Sequence, residues 1–204
     1  MLHGLRQRDD IEIVALVTTF NEAFDRVAMH GVRRSLVEKQ AAATQLPLWD
    51  VPLPWPCSNE EYKARMLALL DRARHQGVEA FAFGDLFLED IRAYREKLLA
   101  ASGIVPLFPI WGSREDSPGL ARRMIGSGMQ ALLTCVDPRQ LDPAFVGRSF
   151  DAQLLSDLPA GVDPCGENGE FHTFCHTGPM FAKPIPVVVS ESIERDGFHF
   201  AELQ

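Results

Sequence analysis

Apolar and polar positions form alternating blocks along the first half of the chain. Four blocks are short apolar runs rich in β-branched and aromatic residues, which predicts buried strands: residues 11–20, 46–54, 78–86 and 104–112. Three blocks between them have the spacing and end signals of helices: residues 30–45, 58–77 and 88–103. This order of strands and helices is typical of a parallel sheet whose crossovers are helical.

The alternation predicts an α/β fold with a doubly wound, mostly parallel sheet. Ligands of such sheets bind at the carboxyl ends of the strands. The first predicted strand ends at Thr18, Thr19 and Phe20, and the third ends at Gly84 and Asp85. We therefore expect a ligand site near these five residues.

The pattern changes after Gly112, where a capped helix, a strand and a turn-rich stretch follow one another. The last residues predict a final strand and tail. We expect a first domain over residues 1–112 and a smaller α+β domain over residues 113–204.

Composition limits the class of protein. The 204 residues carry a formal net charge of −8, with 46% hydrophobic and 24% charged residues. This acidity argues against nucleic-acid binding, which depends on a basic surface. No apolar run reaches the roughly 20 residues of a membrane helix, and the first residues lack the apolar core of a signal peptide. We expect a cytoplasmic protein without a membrane partner.

The stretch "CGENGEFHTF" at 165–174 concentrates the polar groups that catalysis uses. Along a strand, Glu170 and His172 share one face, where they can share a proton or hold a polar ligand, and Glu167 lies on the adjoining glycine loop. The alternative is an ordinary hairpin whose polar face meets water. At the rim of a cleft, Glu170 and His172 would contribute little to stability.

Two other positions have both a functional and a structural interpretation. Asp85 can hold magnesium-bound phosphate, or it can cap the following helix. His30 opens the helix that follows the first predicted strand, where it can lie beside a nucleotide phosphate or base, or it can belong to an ordinary N-terminal turn.

Taken in order, several segments resemble the diphthine–ammonia ligase family of ATP pyrophosphatases. The most specific is Gly-Glu-x-Gly-Glu-aromatic-x-Thr at 166–173, followed by the Gly-Asp strand end. The resemblance runs from about Ile11 to Pro186 and includes these further segments: "ALVTTF", "MHGVRRSLVEKQAAATQLPL", "PLFPIWG" and "LDPAFVGRSF".

The resemblance implies an adenine nucleotide α-hydrolase-like domain and a substrate-side domain. It implies ATP and Mg²⁺ as cofactors, and a reaction in which a carboxylate is adenylated, pyrophosphate leaves and ammonia displaces AMP. It assigns a nucleotide side to Thr18, Thr19, Phe20, His30, Gly84 and Asp85, with Asp85 also near the metal. It assigns the acceptor side to Glu167, Glu170 and His172.

The sequence departs from the family in one respect. The family begins with a strand and a Ser-Gly-Gly-Lys-Asp-Ser phosphate loop, and this sequence contains no such loop. We expect either a ligase that is complete only with an upstream segment, or a non-catalytic adenine-nucleotide-binding relative. The absent strand would leave a sheet edge exposed, which makes a homodimer an additional expectation.

Overall fold

The computed structural model describes all 204 residues of the chain. The helices are α1 (Leu2–Leu5), α2 (Arg34–Thr44), α3 (Asn59–His75), α4 (Glu89–Leu99), α5 (Ser117–Gly126) and α6 (Ala152–Asp157). The strands are β1 (Leu16–Asn21), β2 (Arg26–Val27), β3 (Leu48–Leu53), β4 (Ala80–Ala82), β5 (Val105–Leu107), β6 (Gln130–Val136), β7 (Phe171–Thr177), β8 (Val189–Arg195) and β9 (Phe198–Leu203). None of the helices combines the length and the apolar composition that crossing a bilayer requires.

The helix boundaries follow from local chemistry. Helix α3 begins after Ser58, whose hydroxyl accepts a hydrogen bond from the amide of Glu61 at 3.1 Å. Helix α2 begins at Arg34 rather than near residue 30, where the sequence pattern had predicted its start. Met29 and Gly31 adopt positive φ angles of 65° and 69°, which end any helical path through this segment.

Parallel strands are present, but they form two separate sheets. Strand β1 pairs in parallel with β3 along its whole length, and β4 pairs in parallel with β5. The antiparallel strand β2 pairs with β1 only at Phe20 and Asn21. The expected continuous sheet is therefore interrupted: β4 pairs only with β5, and residues 16–19 of β1 have no partner on the side where β2 pairs with its last two residues.

Two hydrophobic cores cover the first half of the chain. Side chains of β3 pack against α3 and α4 in one core, which includes Trp49, Leu69 and Leu99. Phe20 of β1 packs against α2 in another core, beside Phe174 of β7. Helices α2 and α3 thus lie on different sides of the parallel strands.

The second half contains a four-stranded antiparallel sheet with the order β7-β6-β9-β8. Its own core joins α5 and α6 to this sheet through Ala121, Leu133, Leu154 and Phe171. The core around Phe20 contains residues from both sides of residue 113. The division of the chain near residue 113 stays a prediction.

Candidate functional site

Buried carboxylates shape the loop that precedes β7. Glu170 is 2% exposed, and its carboxylate accepts hydrogen bonds from the amides of Asp163 (2.8 Å) and Asn168 (3.0 Å) and from the Asn168 side chain (2.8 Å). Asp163 is 1% exposed and accepts bonds from the amides of Cys165 and Glu167, each at 3.0 Å. Glu170 is therefore inside the loop, and not at the rim of a cleft as the sequence had suggested.

The glycine at position 166 is a geometric requirement of this loop. Its φ is +72°, a backbone conformation that residues other than glycine rarely adopt. A Cβ added there would lie 2.5 Å from the carbonyl oxygen of Phe171. Only glycine lets the backbone approach β7 this closely, which fixes the direction of the next residue, Glu167.

Glu167 connects this loop to the end of a parallel strand. Its Oε1 accepts a hydrogen bond of 2.7 Å from the amide of Leu86, just beyond β4. Partial burial raises the pKa of Glu167, and the nearby charge of Asp85 raises it further. Arg95 of α4 contacts Asp85 at 3.5 Å. The structure thus brings Glu167 to Asp85 and Arg95, although Glu167 is about 80 residues away from Leu86 and its neighbour Asp85 in sequence.

Two histidines from the two halves of the chain stack on each other. The rings of His30 and His172 lie 4.2 Å apart between centroids, with an angle of 28° between their planes. Burial lowers the pKa of His30 to about 4, with a smaller contribution from His172. Burial also lowers the pKa of His172. Both imidazoles are therefore neutral at pH 7, so the stacked rings do not repel each other as two imidazolium cations would.

The open edges of β1 and β4 line one cavity of about 460 Å³. Thr18 and Thr19 contribute from β1, and residues 81–83 contribute from β4 and the position after it. His30, Gln40, Arg95 and Thr173 complete the polar part of the wall, and the other lining residues are mostly hydrophobic. Apolar walls with a few polar groups are typical of small-molecule sites.

The remaining predicted residues lie outside this cavity. Phe20 is completely buried in the core, with the Arg34 guanidinium 4.1 Å from the centre of its ring. Gly84 is exposed at the turn between β4 and Asp85. Glu170 and His172, predicted to act together, are separated in role, because Glu170 is used within the loop and His172 stacks on His30.

Sequence reasoning did not single out Arg95 or Asp163. Arg95 lies ten residues after Asp85 on a predicted helix, a spacing that carries no recognisable signal. Asp163 stands in "GVDPCGE", where Asp before Pro suggests only a turn. The hydrogen bonds of its carboxylate become visible only in three dimensions.

The donor set around Asp85 fits a hard divalent cation. Carboxylate oxygens are ligands that Mg²⁺ accepts, and it usually takes one or two of them together with substrate phosphates and water. Burial is the main reason for the raised pKa of Glu167, and the charge of Asp85 adds a repulsion that a cation would relieve. No group of three or more potential metal-ligating side chains converges in the structure. Any such ion would need most of its ligands from phosphate and water.

The chain is similar to known proteins of one kind. A family model described as the diphthamide synthase C-terminal domain matches residues 116–201, which include the Glu167 loop. The bovine diphthine–ammonia ligase is 26% identical over 196 residues, covering 89% of this chain and 73% of the relative. The human diphthine–ammonia ligase is 32% identical over 129 residues, covering 61% of this chain and 48% of the relative.

A more distant match extends along most of the chain. The diphthine–ammonia ligase of Schizosaccharomyces pombe is 24% identical over 202 residues, covering 90% of this chain but 33% of the relative. The chain spans about three quarters of the bovine relative and about half of the human one. The matched C-terminal domain and the repeated similarity to one kind of enzyme agree: the chain is similar to diphthine–ammonia ligases along most of its length, and its residues 116–201 match the diphthamide synthase C-terminal domain.

Proposed function

We propose that this chain forms the nucleotide and acceptor sides of an ATP-dependent amide-forming ligase. One observation carries the proposal: the carboxylate of Glu167 binds the amide of Leu86 at 2.7 Å, beside Asp85. This bond joins the Gly-Glu-x-Gly-Glu loop to the carboxyl end of a parallel strand, which is where α/β sheets bind their ligands. The similarity to diphthine–ammonia ligases supplies the class of reaction.

The nucleotide would bind in and above the cavity between β1 and β4. Thr18 and Thr19 offer hydroxyls there, and His30 offers a neutral ring for stacking or hydrogen bonding. Phe20 would act from the core by fixing the end of β1, and Gly84 would allow the phosphates to approach the turn after β4. This arrangement supports an adenine nucleotide α-hydrolase-like domain over residues 1–112, followed by a substrate-side domain.

Asp85 and Glu167 would hold Mg²⁺ jointly with the phosphates of ATP. When bound, the ion would neutralise charge on the phosphate oxygens. Arg95, which contacts Asp85 and also lines the nucleotide cavity, would keep the Asp85 carboxylate oriented toward the phosphates. The fit rests on oxygen ligands and on the repulsion between the two carboxylates.

The proposed reaction has two steps, adenylation of a carboxylate and formation of the amide. An oxygen of the acceptor carboxylate attacks the α-phosphorus of ATP, the bond to the bridging oxygen breaks, and pyrophosphate leaves with the electron pair. Ammonia then attacks the acyl carbon, the bond to the AMP oxygen breaks, and the nitrogen loses one proton. Once magnesium pyrophosphate has left, the carboxylate of Glu167 would no longer hold the ion and would accept that proton, which its raised pKa favours.

Glu170 and His172 would support the acceptor side in different ways. Glu170 is a positioning residue, because its carboxylate is occupied by the loop that presents Glu167. His172 forms the wall between the acceptor loop and His30 through the stacked rings. Because the imidazoles are neutral, one ring nitrogen can donate a hydrogen bond to an anionic intermediate that lies against this wall.

The open edges of β1 and β4 support a requirement for one more strand. Residues 17–19 of β1 and 81–83 at the end of β4 line the same cavity, and no strand of this chain pairs with both β1 and β4. The sequence contains no phosphate loop that could hold pyrophosphate. We propose that turnover requires a strand and a phosphate loop inserted at this position.

A binding experiment tests the nucleotide side directly. Adenosine added to the isotope-labelled chain is expected to shift the amide resonances of Thr18, Thr19 and His30 in a saturable way. Thr19→Val should weaken adenosine binding several-fold, whereas Thr177→Val, outside the cavity, should bind as the unmodified chain does. Uniform weak shifts across the surface, or equal losses in both variants, would contradict the proposed site.

The rival interpretation is a non-catalytic nucleotide-binding relative. The two are separated by joining the upstream strand and phosphate loop of a family member to this chain and measuring pyrophosphate release with magnesium-ATP, ammonium and diphthine as acceptor. Release above that of the unextended chain supports the ligase. Unchanged adenosine binding without release supports the binding protein.

A further inference from the structure

A second cavity lies where the strand ends of the first half meet α5. Its volume is about 360 Å³, and it is lined by Leu86 after β4, by residues 109–113 after β5 and by residues of α5. It shares no lining residue with the nucleotide cavity. The proposed nucleotide site therefore leaves this cavity unassigned.

A buried hydroxyl without a partner belongs to this cavity. Ser117 lines the cavity and is 2% exposed, and its Oγ makes no hydrogen bond. Its carbonyl oxygen, by contrast, is used by the Cys165 thiol at 3.7 Å. A buried hydroxyl left unpaired is costly, and native proteins leave few of them. A ligand that accepts a hydrogen bond from Ser117 would remove this cost.

The cavity wall carries one cationic and one acidic side chain, and the cationic one has no hydrogen bond or ion pair within the chain. Arg123 is the only cationic residue that lines the cavity, and a Cβ added at Gly119 would lie 3.3 Å from its Nη1. The guanidinium therefore lies one helical turn toward the start of α5. Asp116 is the only lining carboxylate, and its Oδ2 already accepts bonds from the amide and hydroxyl of Ser113, both at 2.9 Å.

The position of the cavity matches the geometry that adenylation needs. Arg95 lines the nucleotide cavity and contacts Asp85, whose neighbour Leu86 binds Glu167 and lines the second cavity. The two cavities thus lie on either side of the short segment where the phosphates and Mg²⁺ would bind. A carboxylate that attacks the α-phosphorus must be adjacent to that segment.

We propose that this second cavity binds the acceptor's carboxylate, with the Arg123 guanidinium and the Ser117 hydroxyl as hydrogen-bond donors. The proposal rests on the ligase function proposed above and adds the location of the acceptor. It also assigns Arg123 and Ser117, which lie outside the Gly-Glu-x-Gly-Glu loop, to substrate binding. The neighbouring Trp111 would supply an apolar wall beside the carboxylate.

Acetate serves as the probe, with acetamide as its uncharged counterpart of the same shape. Titrated into the isotope-labelled chain at constant ionic strength, acetate is expected to give saturable shifts in the amides of residues 110–123, and acetamide is not. Arg123→Gln should weaken acetate binding by about tenfold or more, the scale of one charge-assisted hydrogen bond. Arg122→Gln, an exposed neighbour outside the cavity, should bind acetate normally.

Ser117→Ala is a second variant, which keeps the proposal testable even if Arg123→Gln fails to fold. Because the hydroxyl has no partner in the chain, its removal should leave the melting temperature equal or higher while acetate binding falls several-fold. Inorganic phosphate distinguishes a carboxylate site from a phosphoryl site and should bind more weakly than acetate. Stronger phosphate binding, equal binding of acetamide, no saturation, or the same loss in Arg122→Gln would each overturn the proposal.

Adenosine is titrated into the same samples. Adenosine shifts at Thr19 and His30 without any acetate response would overturn the acceptor site alone. A missing adenosine response would count against the proposed ligase function, whatever acetate does.

Discussion

Replacing Glu170 by glutamine tests whether its carboxylate holds the loop together. The substitution keeps the volume and shape of the side chain. One carboxylate oxygen accepts from the amide of Asp163 and the side chain of Asn168, and the other accepts from the amide of Asn168. With glutamine, one oxygen can keep its two bonds, but an NH₂ group then faces the Asn168 amide. Two donors would meet where a charged acceptor had been.

The expected loss is large because Glu170 is only 2% exposed. A hydrogen bond to a charged group contributes about 1.5–3 kcal/mol, and an unsatisfied buried donor costs about 1–3 kcal/mol. We expect Glu170→Gln to lower the free energy of unfolding by about 3 kcal/mol. For a chain of this size the melting temperature should fall by roughly 6–12 °C.

Urea unfolding followed by tryptophan fluorescence and circular dichroism measures this change. Glu191→Gln is the matched control, because Glu191 is exposed on β8 and makes no side-chain hydrogen bond or ion pair; it should stay within about 0.5 kcal/mol of the unmodified chain. Adenosine affinity of the folded Glu170→Gln chain should change little. If the two variants were equally stable, Glu170 would not organise the loop, and its assignment as a positioning residue would be wrong.

Three further predictions concern chemistry and pH. The chain as printed should release little or no pyrophosphate from magnesium-ATP and ammonium, because it has no phosphate loop; robust turnover in a coupled phosphate assay would refute this. Asp85→Ala should weaken magnesium-ATP binding by about tenfold or more and leave adenosine within about twofold, since a carboxylate acting through a metal matters only when phosphates are present; equal losses in calorimetric titrations would instead indicate a structural role. The pKa of His30 is lowered to about 4 in the folded state, so the unfolded chain takes up a proton first as pH falls, and stability should be complete above about pH 6.5 and decline by about 3 kcal/mol down to pH 4. In His30→Gln, the free energies of unfolding measured in urea at pH 7 and pH 4.5 should differ much less than in the unmodified chain. If the difference were unchanged, His30 would not be the source of the pH dependence.

The order of elements in the first half follows from periodicity, and the structure contains each predicted strand and helix there. The pattern failed where left-handed residues intervene, as at Met29 and Gly31, because periodicity carries no information on φ. It also predicted one continuous sheet, whereas β1 and β4 are not paired. Strand pairing depends on which strand edges meet in the folded chain, and the local sequence does not encode this.

The chemistry of the candidate site was visible in part. The concentration of carboxylates at 165–174 indicated the loop that the structure shows, but strand alternation predicted that Glu170 and His172 lie on one face and act together. The structure separates them, because Glu170 lies one residue before β7 and its carboxylate satisfies backbone amides. Arg95 and Asp163 gave no recognisable signal: Asp163 bonds to amides two and four residues later in an irregular loop, and Arg95 meets Asp85 only through the way α4 packs after β4.

The core shared by the two halves has a consequence for how the molecule unfolds. Phe20 and Leu36 from the first half pack with Phe174 and Leu203 from the second. The last strand adds an ion pair in which Glu202, 4% exposed, contacts the guanidinium groups of Arg26 and Arg33, each at 2.8 Å. Separating the halves would expose these apolar side chains and leave a buried charge without partners. The two halves should therefore melt cooperatively, as one calorimetric transition, and removal of the final strand should destabilise the nucleotide side as severely as the sheet to which that strand belongs.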